Sequence, residues 1–353
     1  MRLTPFAMHG KRTFLLVSAV FFAWLSGIGP VSAQTRRLNV VCSVQIEWCE
    51  LVRKTYQQAT GVRMAVIHRS SIEALALLMS ERKNPRTDVW FGGTGDPHLQ
   101  AAEQRLTEEY RSRQFDDLQP WAQAQAKRGG FRTVGLYSGA LGIAYNPEQI
   151  RRLGVEPPRC WSDLVRPEFE RQVMMGNPTS SGTGYLILSA LTQLLGEDGA
   201  FAYMKKLHRN VAQYTHGGRG SIENVVRGEA SVAIGFMHDA ITAQERGARL
   251  EFTLPCEGAP AEIGSLSLVA GSANPVEARE FYEWALSPDA QTLARQASAF
   301  QWSSNARVAA VAGLPTADLA GIIEYDHRRF GSSEVRKRLL TRWVNEVNAP
   351  GNE

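Results

Sequence analysis

Three side chains in the second half of the chain have the types to bind a polar solute, hold a metal or move a proton: the neighbours His238 and Asp239, and Glu262. One imidazole and two carboxylates at the ends of strand-like runs can accept hydrogen bonds from sugar hydroxyls, ligate a cation or run acid–base chemistry. A second set is made of small hydroxyl residues and glycines. Ser43, Ser70-Ser71, Gly92-Gly93-Thr94-Gly95 and the stretch from Asn177 to Thr183 each follow a strand-like run and precede a helical pattern. Helix starts carry free N–H groups and a partial positive charge, so several aimed at one place make an anion site with few basic side chains.

The strongest of these stretches ends in Ser180, Ser181, Gly182 and Thr183, because Ile187, Leu191, Leu194 and Leu195 define the helix behind it. Ser and Thr also serve as ordinary N-caps. Ser70 with Glu73 reads as a capping box, which would occupy both side chains. Gly93 and Thr94 lie in a turn that lets backbone approach a ligand. No Gly-Lys-Ser follows that turn and the Gly-x-Gly-x-x-Gly spacing is absent, which excludes the common nucleotide motifs. The chain has no Gly-x-Ser-x-Gly elbow and no His-Glu-x-x-His, and the remaining six histidines form no matching cluster. No catalytic residue, metal ligand or cofactor is assigned; a phosphate-ester hydrolase using His238 and Asp239 is the reading outside the binding class.

The elements that must position these groups alternate. A strand at Leu38–Cys42 precedes a helix with Trp48, Leu51, Val52 and Tyr56 on one side and Gly61 at its end. Strands at Val62–Ile67 and Asp88–Phe91 flank a helix through Met79, which gives an α/β lobe with parallel strands. Two short pieces, Val134–Tyr137 and Leu141–Tyr145, are separated by Ser138-Gly139, and the first reads as a crossing between lobes. A second α/β lobe has strands at Val173–Gly176 and Ser231–Phe236 and a helix from Gly184 to Leu195. Ser265–Val269 brings the chain back, Val276–Ala297 is helical with a break at Ser287-Pro288, and a basic amphipathic stretch from Asp318 wraps the outside as helices. Ligands bind beyond the carboxyl ends of strands in such lobes, hence in the cleft between them. Trp90, Trp161 and Trp284 read as core; Tyr145, Tyr185 and Tyr214 lie nearer the cleft loops.

Arg2, Lys11 and Arg12 ahead of an apolar run from Phe14 to Ile28, followed by Val31-Ser32-Ala33, read as a signal peptide cleaved before Gln34. No cysteine stands at a lipoprotein position, so a periplasmic location is expected. Without those three basic residues, 36 Lys and Arg face 35 Asp and Glu, and a nearly neutral surface gives no footprint for nucleic acid. Cys42, Cys49, Cys160 and Cys256 suit two disulfides in an oxidising compartment. Of the three pairings, Cys42 with Cys49 and Cys160 with Cys256 is preferred. Zinc is the rival, without Cys-x-x-Cys spacing in either pair.

Trp48-Cys49, Asp88-Val89-Trp90-Phe91-Gly92-Gly93-Thr94-Gly95-Asp96-Pro97-His98, Asn177-Pro178-Thr179-Ser180-Ser181-Gly182-Thr183, Phe236-Met237-His238-Asp239 and Pro255-Cys256-Glu257-Gly258 form a recognisable set. The chain resembles the family 1 extracellular solute-binding proteins often labelled ferric-iron binding, and within them the branch containing a hexose-phosphate-binding protein. The resemblance implies an α/β, two-lobed periplasmic binding protein fold of type II, with a ligand cleft between lobes that closes by a hinge. It implies a small anionic ligand handed to an ABC permease and its ATPase, and a monomer. It makes Ser70, Thr183 and their neighbours phosphate candidates, and His238, Asp239 and Glu262 sugar candidates. Ferric binders of this kind use adjacent tyrosines, and no Tyr-Tyr occurs here, so ferric iron is the second ligand reading. The expected organisation is a signal peptide over 1–33, one lobe from 34–135 plus 262–310, the other from 136–261, and a helical extension over 311–353.

Overall fold

The computed structural model of the chain describes residues 36–310 and 320–349. The expected signal peptide, and residues 311–319 of the expected C-terminal extension, lie outside the described residues.

Strand β1 (Arg37–Cys42) leads through α1 (Ile46–Thr60) to β2 (Arg63–His68), then through α2 (Ser71–Ser80) to β3 (Val89–Phe91) and α3 (Gly95–Glu103). The three strands are parallel in the order β2-β1-β3. Period-two alternation decides which side chain goes where. Leu38, Val40 and Cys42 face a core with Trp48, Tyr56 and Phe281, whereas Val41 faces Leu75, Leu78 and Trp90 on the other side. Both faces are covered, as a parallel sheet requires.

After α4 (Pro120–Arg128), strand β4 (Val134–Tyr145) runs unbroken through both lobes. The expected interruption at Ser138-Gly139 is absent because a ladder partner holds that stretch. Ser138 pairs with Ile263, Gly139 pairs with Glu262, and Ser138 Oγ donates to the Glu262 carbonyl at 2.6 Å. The first part of β4 pairs antiparallel with β9 (Ala261–Leu268), and its last part, Leu141 to Tyr145, pairs antiparallel with β7 (Val232–Phe236). The expected return strand at Ser265 therefore starts four residues earlier, at Ala261, and crosses beside β4. β9 in turn pairs antiparallel with β3.

The second lobe adds α5 (Pro147–Leu153), then β5 (Val173–Gly176), parallel to both β7 and β6 (Val211–Thr215), and the short β8 (Glu251–Thr253), antiparallel to the end of β4. Between β5 and β6 lies α6 (Gly182–Asn210), kinked where Gly196 takes a positive φ of 71°, so the helix ends at Leu195 as the sequence suggests and a further one follows. Helices α7 (Gly218–Val226) and α8 (Met237–Glu245) cover the Met174 and Ala233 face. Helices α9 (Pro275–Ala285) and α10 (Pro288–Gln296) meet at the expected break, where Ser287 caps α10. The C-terminal helices α11 (His327–Phe330) and α12 (Ser333–Arg342) bury Phe330, Leu339 and Trp343 in the second lobe's core. They seal that core as well as wrapping it.

Trp90 and Trp161 are core as expected and Trp284 is partly buried against it. Both disulfides take the preferred pairing, Cys42–Cys49 and Cys160–Cys256. The second spans 96 residues, and a loop of that length loses about 4–5 kcal/mol of unfolded-chain entropy when closed. Cys160 is half-buried and Cys256 exposed, so their removal leaves no core cavity. The Cys160→Ala/Cys256→Ala variant should lose about 3–5 kcal/mol in urea denaturation; a loss below about 1 kcal/mol would contradict the loop account.

Candidate functional site

Six helix starts open onto one cleft of about 530 Å³ between the lobes: α1, α2 and α3 from the first, α6, α7 and α8 from the second. The starts differ in how their amides are satisfied. Ser70 caps α2, accepting from Glu73 N at 3.2 Å while Glu73 Oε2 accepts from Ser70 N at 2.9 Å. Ser181 caps α6, accepting from Gly184 N at 3.2 Å. The starts of α1 at Gln45, α3 at Thr94, α7 at Gly217 and α8 at Phe236 have no side-chain cap. First-turn residues of α1, α7 and α8 lie on the cleft lining, so their amides are open to an acceptor there. Helix α3 reaches the cleft only through Thr94, whose N–H donates to Ser71 Oγ at 2.9 Å, and Pro97 in its first turn has no N–H.

Glycines let the two lobes meet here. A methyl on Gly182 would come 2.0 Å from Thr94 Oγ1, and one on Gly93, at φ +92°, would come 2.5 Å from Ser71 Oγ. Thr94 Oγ1 is buried and has no hydrogen-bond partner. Thr183 is buried at the cleft wall with Gly218 packed against its hydroxyl. Ser43 Oγ accepts from Trp90 Nε1 at 3.0 Å, which leaves its own proton free. Ser70 Oγ donates to the Ser180 carbonyl across the cleft at 2.8 Å, so its hydroxyl is spent on the cap and on closure.

The other end of the cleft is acidic. His238 and Asp239 sit in the first turn of α8, and Glu262 sits on the crossing strand β9. All three are buried, at 3–6 % exposure. His238 Nε2 lies 3.8 Å from Asp239 Oδ2 and 3.9 Å from Glu262 Oε1, too far for direct hydrogen bonds, and its Nδ1 has no partner. Its ring stacks on Phe236 with 5.1 Å between centroids, and its Nδ1 edge fills the space that a side chain at Gly139 would need. Burial pushes the His238 pKa down, with Asp239 opposing. Burial pushes the Glu262 carboxyl well above the usual range, helped by the charges of Asp239 and Asp96. Asp239 Oδ1 accepts from Gln45 Nε2 at 3.0 Å across the cleft, and Gln45 Oε1 accepts from Gln301 Nε2 at 3.1 Å. The pole thus presents a neutral imidazole and one protonated carboxyl beside Asp239.

Two buried groups hold the glycine turn between these ends. Tyr137 Oη accepts from Gly93 N at 3.0 Å; burial, reinforced by Glu262, keeps the phenol protonated, so its hydrogen remains available. His98 stacks on Trp90 at 3.6 Å, its Nε2–H donating to the Gly92 carbonyl at 3.0 Å while Nδ1 accepts from Ser267 Oγ at 2.8 Å. Burial pushes the His98 pKa down to about 3, so it stays neutral.

Of the sequence candidates, Ser43, Ser70, Gly93, Thr94, Ser181, Gly182, Thr183, His238, Asp239 and Glu262 line this cleft; Ser180 contributes only its carbonyl to Ser70. Sequence reasoning missed Gln45, Glu47, Tyr137, Gln301 and the run from His216 to Gly220. The last had a signal: Gly217-Gly218-Arg219-Gly220 follows a strand and opens a helix, like the other loops. Tyr145, Tyr185 and Tyr214 point elsewhere, into Glu251, the Phe330 carbonyl and His208. Among the described residues, the one trio of His, Cys, Asp or Glu with closely gathered ligand atoms is Cys160, Cys256 and Glu257, and its sulfurs are in a disulfide. The His238, Asp239 and Glu262 trio is more widely spread.

A family model described as bacterial extracellular solute-binding protein matches residues 93–316. An uncharacterized protein of Haemophilus influenzae is 37% identical over 339 residues, covering 96% of this chain and 98% of its own. Among solved structures, the periplasmic binding protein AfuA from Actinobacillus pleuropneumoniae, with exogenous fructose-6-phosphate bound, superposes with a TM-score of 0.86 at 39% identity, covering 89% of this chain and 99% of that one. The periplasmic binding protein P5PA gives a TM-score of 0.85 at 34% identity, covering 88% and 99%.

The protonation of Glu262 has a sign that can be tested. A carboxyl whose pKa is raised by folding contributes stability fully below its unfolded value, about 4.3, and loses it as pH rises through the folded value. Glu262→Gln mimics the protonated form at every pH. The melting temperature of the ligand-free variant, minus that of the wild type, should therefore grow from about pH 4.3 toward neutrality. His98 and His238 act oppositely, losing stability as pH falls below about 6.5, but do so in both proteins and cancel from the difference. A difference that stays constant with pH would mean that Glu262 is ionised in the fold.

Proposed function

This chain belongs to the bacterial extracellular solute-binding proteins, the substrate-capturing components of ABC importers, and from that membership we propose that its cargo is a small phosphorylated or phosphonate-like organic anion, with a sugar phosphate first. The observation that carries the reading is the polarity of the cleft. The uncapped start of α7 and the orphaned Thr94 hydroxyl stand at one end, and a buried His-Asp-Glu set, two of its members in the first turn of α8, stands at the other. Amides at the start of α7, with the hydroxyls of Thr94, Thr183 and Ser43, suit phosphate oxygens without needing a buried cation. Asp239 accepts from hydroxyls, protonated Glu262 and Tyr137 donate to them, and neutral His238 can do either according to tautomer.

The likeness to AfuA, whose structure holds fructose-6-phosphate, supports the same class of cargo. Capture without turnover is supported by the spacing around His238, where neither carboxylate is close enough to orient it as a general base. The proposal includes export by the N-terminal leader, a periplasmic site of action, and delivery of cargo to a permease with a separate ATPase. It takes residues 34–135 plus 262–310 and residues 136–261 as the two lobes that close on it.

Native mass spectrometry of protein purified without refolding, followed by thermal shifts with sugar phosphates, phosphonates and ferric salts, tests the class of cargo. A hexose phosphate should co-purify or raise the melting temperature; a rise with ferric salts alone would overturn the cargo assignment. At the level of residues, Asp239→Asn should cost about 1.5–3 kcal/mol, roughly tenfold to a hundredfold in Kd. It should also flatten the preference among epimeric sugar phosphates. Thr94→Val should weaken all phosphorylated ligands alike. Unchanged affinity in both variants would remove these residues from the site.

A further inference from the structure

Glu47, Arg219 and Glu223 line the cleft as a cluster of charges paired with one another. Glu47, in the first turn of α1, reaches from one lobe to two arginines of the other. Arg219 Nη1 donates to Glu47 Oε2 at 2.9 Å and Nη2 to Oε1 at 3.3 Å; Arg246 Nη2 donates to Oε1 at 3.3 Å. The remaining donor edge of Arg219 is fixed within its own helix, with Nε 2.7 Å from Glu223 Oε1. Glu223 thereby aims the fork at the opposite lobe. The Arg219 hydrogen bonds hold the Glu47 carboxyl down to about 2.

Two features separate this cluster from a cargo site. First, carboxylates engage every nitrogen of the Arg219 guanidinium, so none faces the cleft unpaired. Second, Arg246 lines a neighbouring groove outside the cleft and still bonds Glu47, so the carboxylate is gripped from outside. The cross-lobe bonds from Ser70 to Ser180 and from Gln45 to Asp239 share the cleft with this cluster but use a hydroxyl and a carboxylate of the proposed cargo site, whereas Glu47 and Arg219 are paired with each other.

We propose that Glu47, Arg219 and Arg246 form a latch that holds the lobes together whether or not cargo is bound, and so sets how long a captured solute stays. In the closed state Glu47 meets two guanidinium groups; in an opened cleft it meets water and Arg219 keeps only Glu223. The latch biases the open–closed equilibrium by its own differential contacts, and cargo adds its contacts to that bias. Because Glu47 and Arg246 are roughly half exposed, salt screens the latch. Its effect on cargo release rests on the solute-capture reading; its effect on the empty protein does not.

All four cysteines are in disulfides, so the exposed residues Lys54 and Lys206, one in each lobe, can be replaced by Cys and labelled for distance measurement in the ligand-free protein. Glu47→Gln should move population from the short to the long distance. About 1 M salt should do the same to the wild type and little more to the variant. Arg246→Gln, outside the cleft, should shift the population in the same direction and by less. With a hexose phosphate, Glu47→Gln should speed dissociation about three- to tenfold and leave association within about twofold. Identical distance distributions in the ligand-free wild type and Glu47→Gln at low salt would overturn the latch, as would tighter cargo binding by the variant, which would make Glu47 a competitor for the anion. If the wild type binds no sugar phosphate, the cargo reading fails while the ligand-free distances still decide the latch.

Discussion

Backbone amides at the start of a helix need acceptors, and this fold turns six such starts toward one enclosed space. Two starts carry serine caps, and those of α1, α3, α7 and α8 carry none. The unmet demand for acceptors in a buried place is the constraint on which the rest depends. It explains the glycines at 93, 182 and 218, each of which faces a hydroxyl residue where a Cβ would collide. It also explains why no buried arginine or lysine is needed for an anion, and why the nearby arginine, Arg219, is free to pair with Glu47 at the rim.

The opposite end follows from a different cost. Two carboxylates brought together in a buried site disfavour each other's charge, and burial together with the charge of Asp239 pushes the Glu262 carboxyl toward its protonated form. That leaves a pole with one strong acceptor, two neutral donors in Glu262 and Tyr137, and an imidazole that burial keeps neutral. The crossing strands β4 and β9 build this pole directly, since Tyr137 and Gly139 lie on one and Glu262 on the other. Residues of the proposed solute site are thus carried on the crossing strands, so that closure about these strands, as proposed, would couple to occupancy through short covalent paths.

Much of this was legible in the residues. Alternating apolar runs and helical faces identified two α/β lobes, and the rule that ligands sit after strands led to Ser43, Gly93, Thr94 and Thr183 without knowledge of the fold. The loop from His216 to Gly220 was missed because β6 follows α6 with no glycine or proline between Asn210 and Val211, so no strand was recognised ahead of it. Tyr137 was hidden inside an unbroken buried strand, where an aromatic reads as core. The apparent break at Ser138-Gly139 was a pairing effect: the ladder to Glu262 and Ile263 overrides local turn chemistry. Gln45 and Glu47 act across the cleft, with Gln301 bonded to Gln45 from its own lobe, and sequence carries no signal for such long-range contacts.

In the proposed function one cleft joins a phosphate end to a hydroxyl end. Calorimetry with a hexose phosphate, the same hexose without phosphate, and inorganic phosphate alone tests it most directly. The account predicts that the joined ligand binds about 10²–10⁴-fold more tightly than either fragment, because both poles are engaged at once. Equal affinity for the unphosphorylated hexose would mean that the open helix starts hold solvent and not cargo, and would contradict the account.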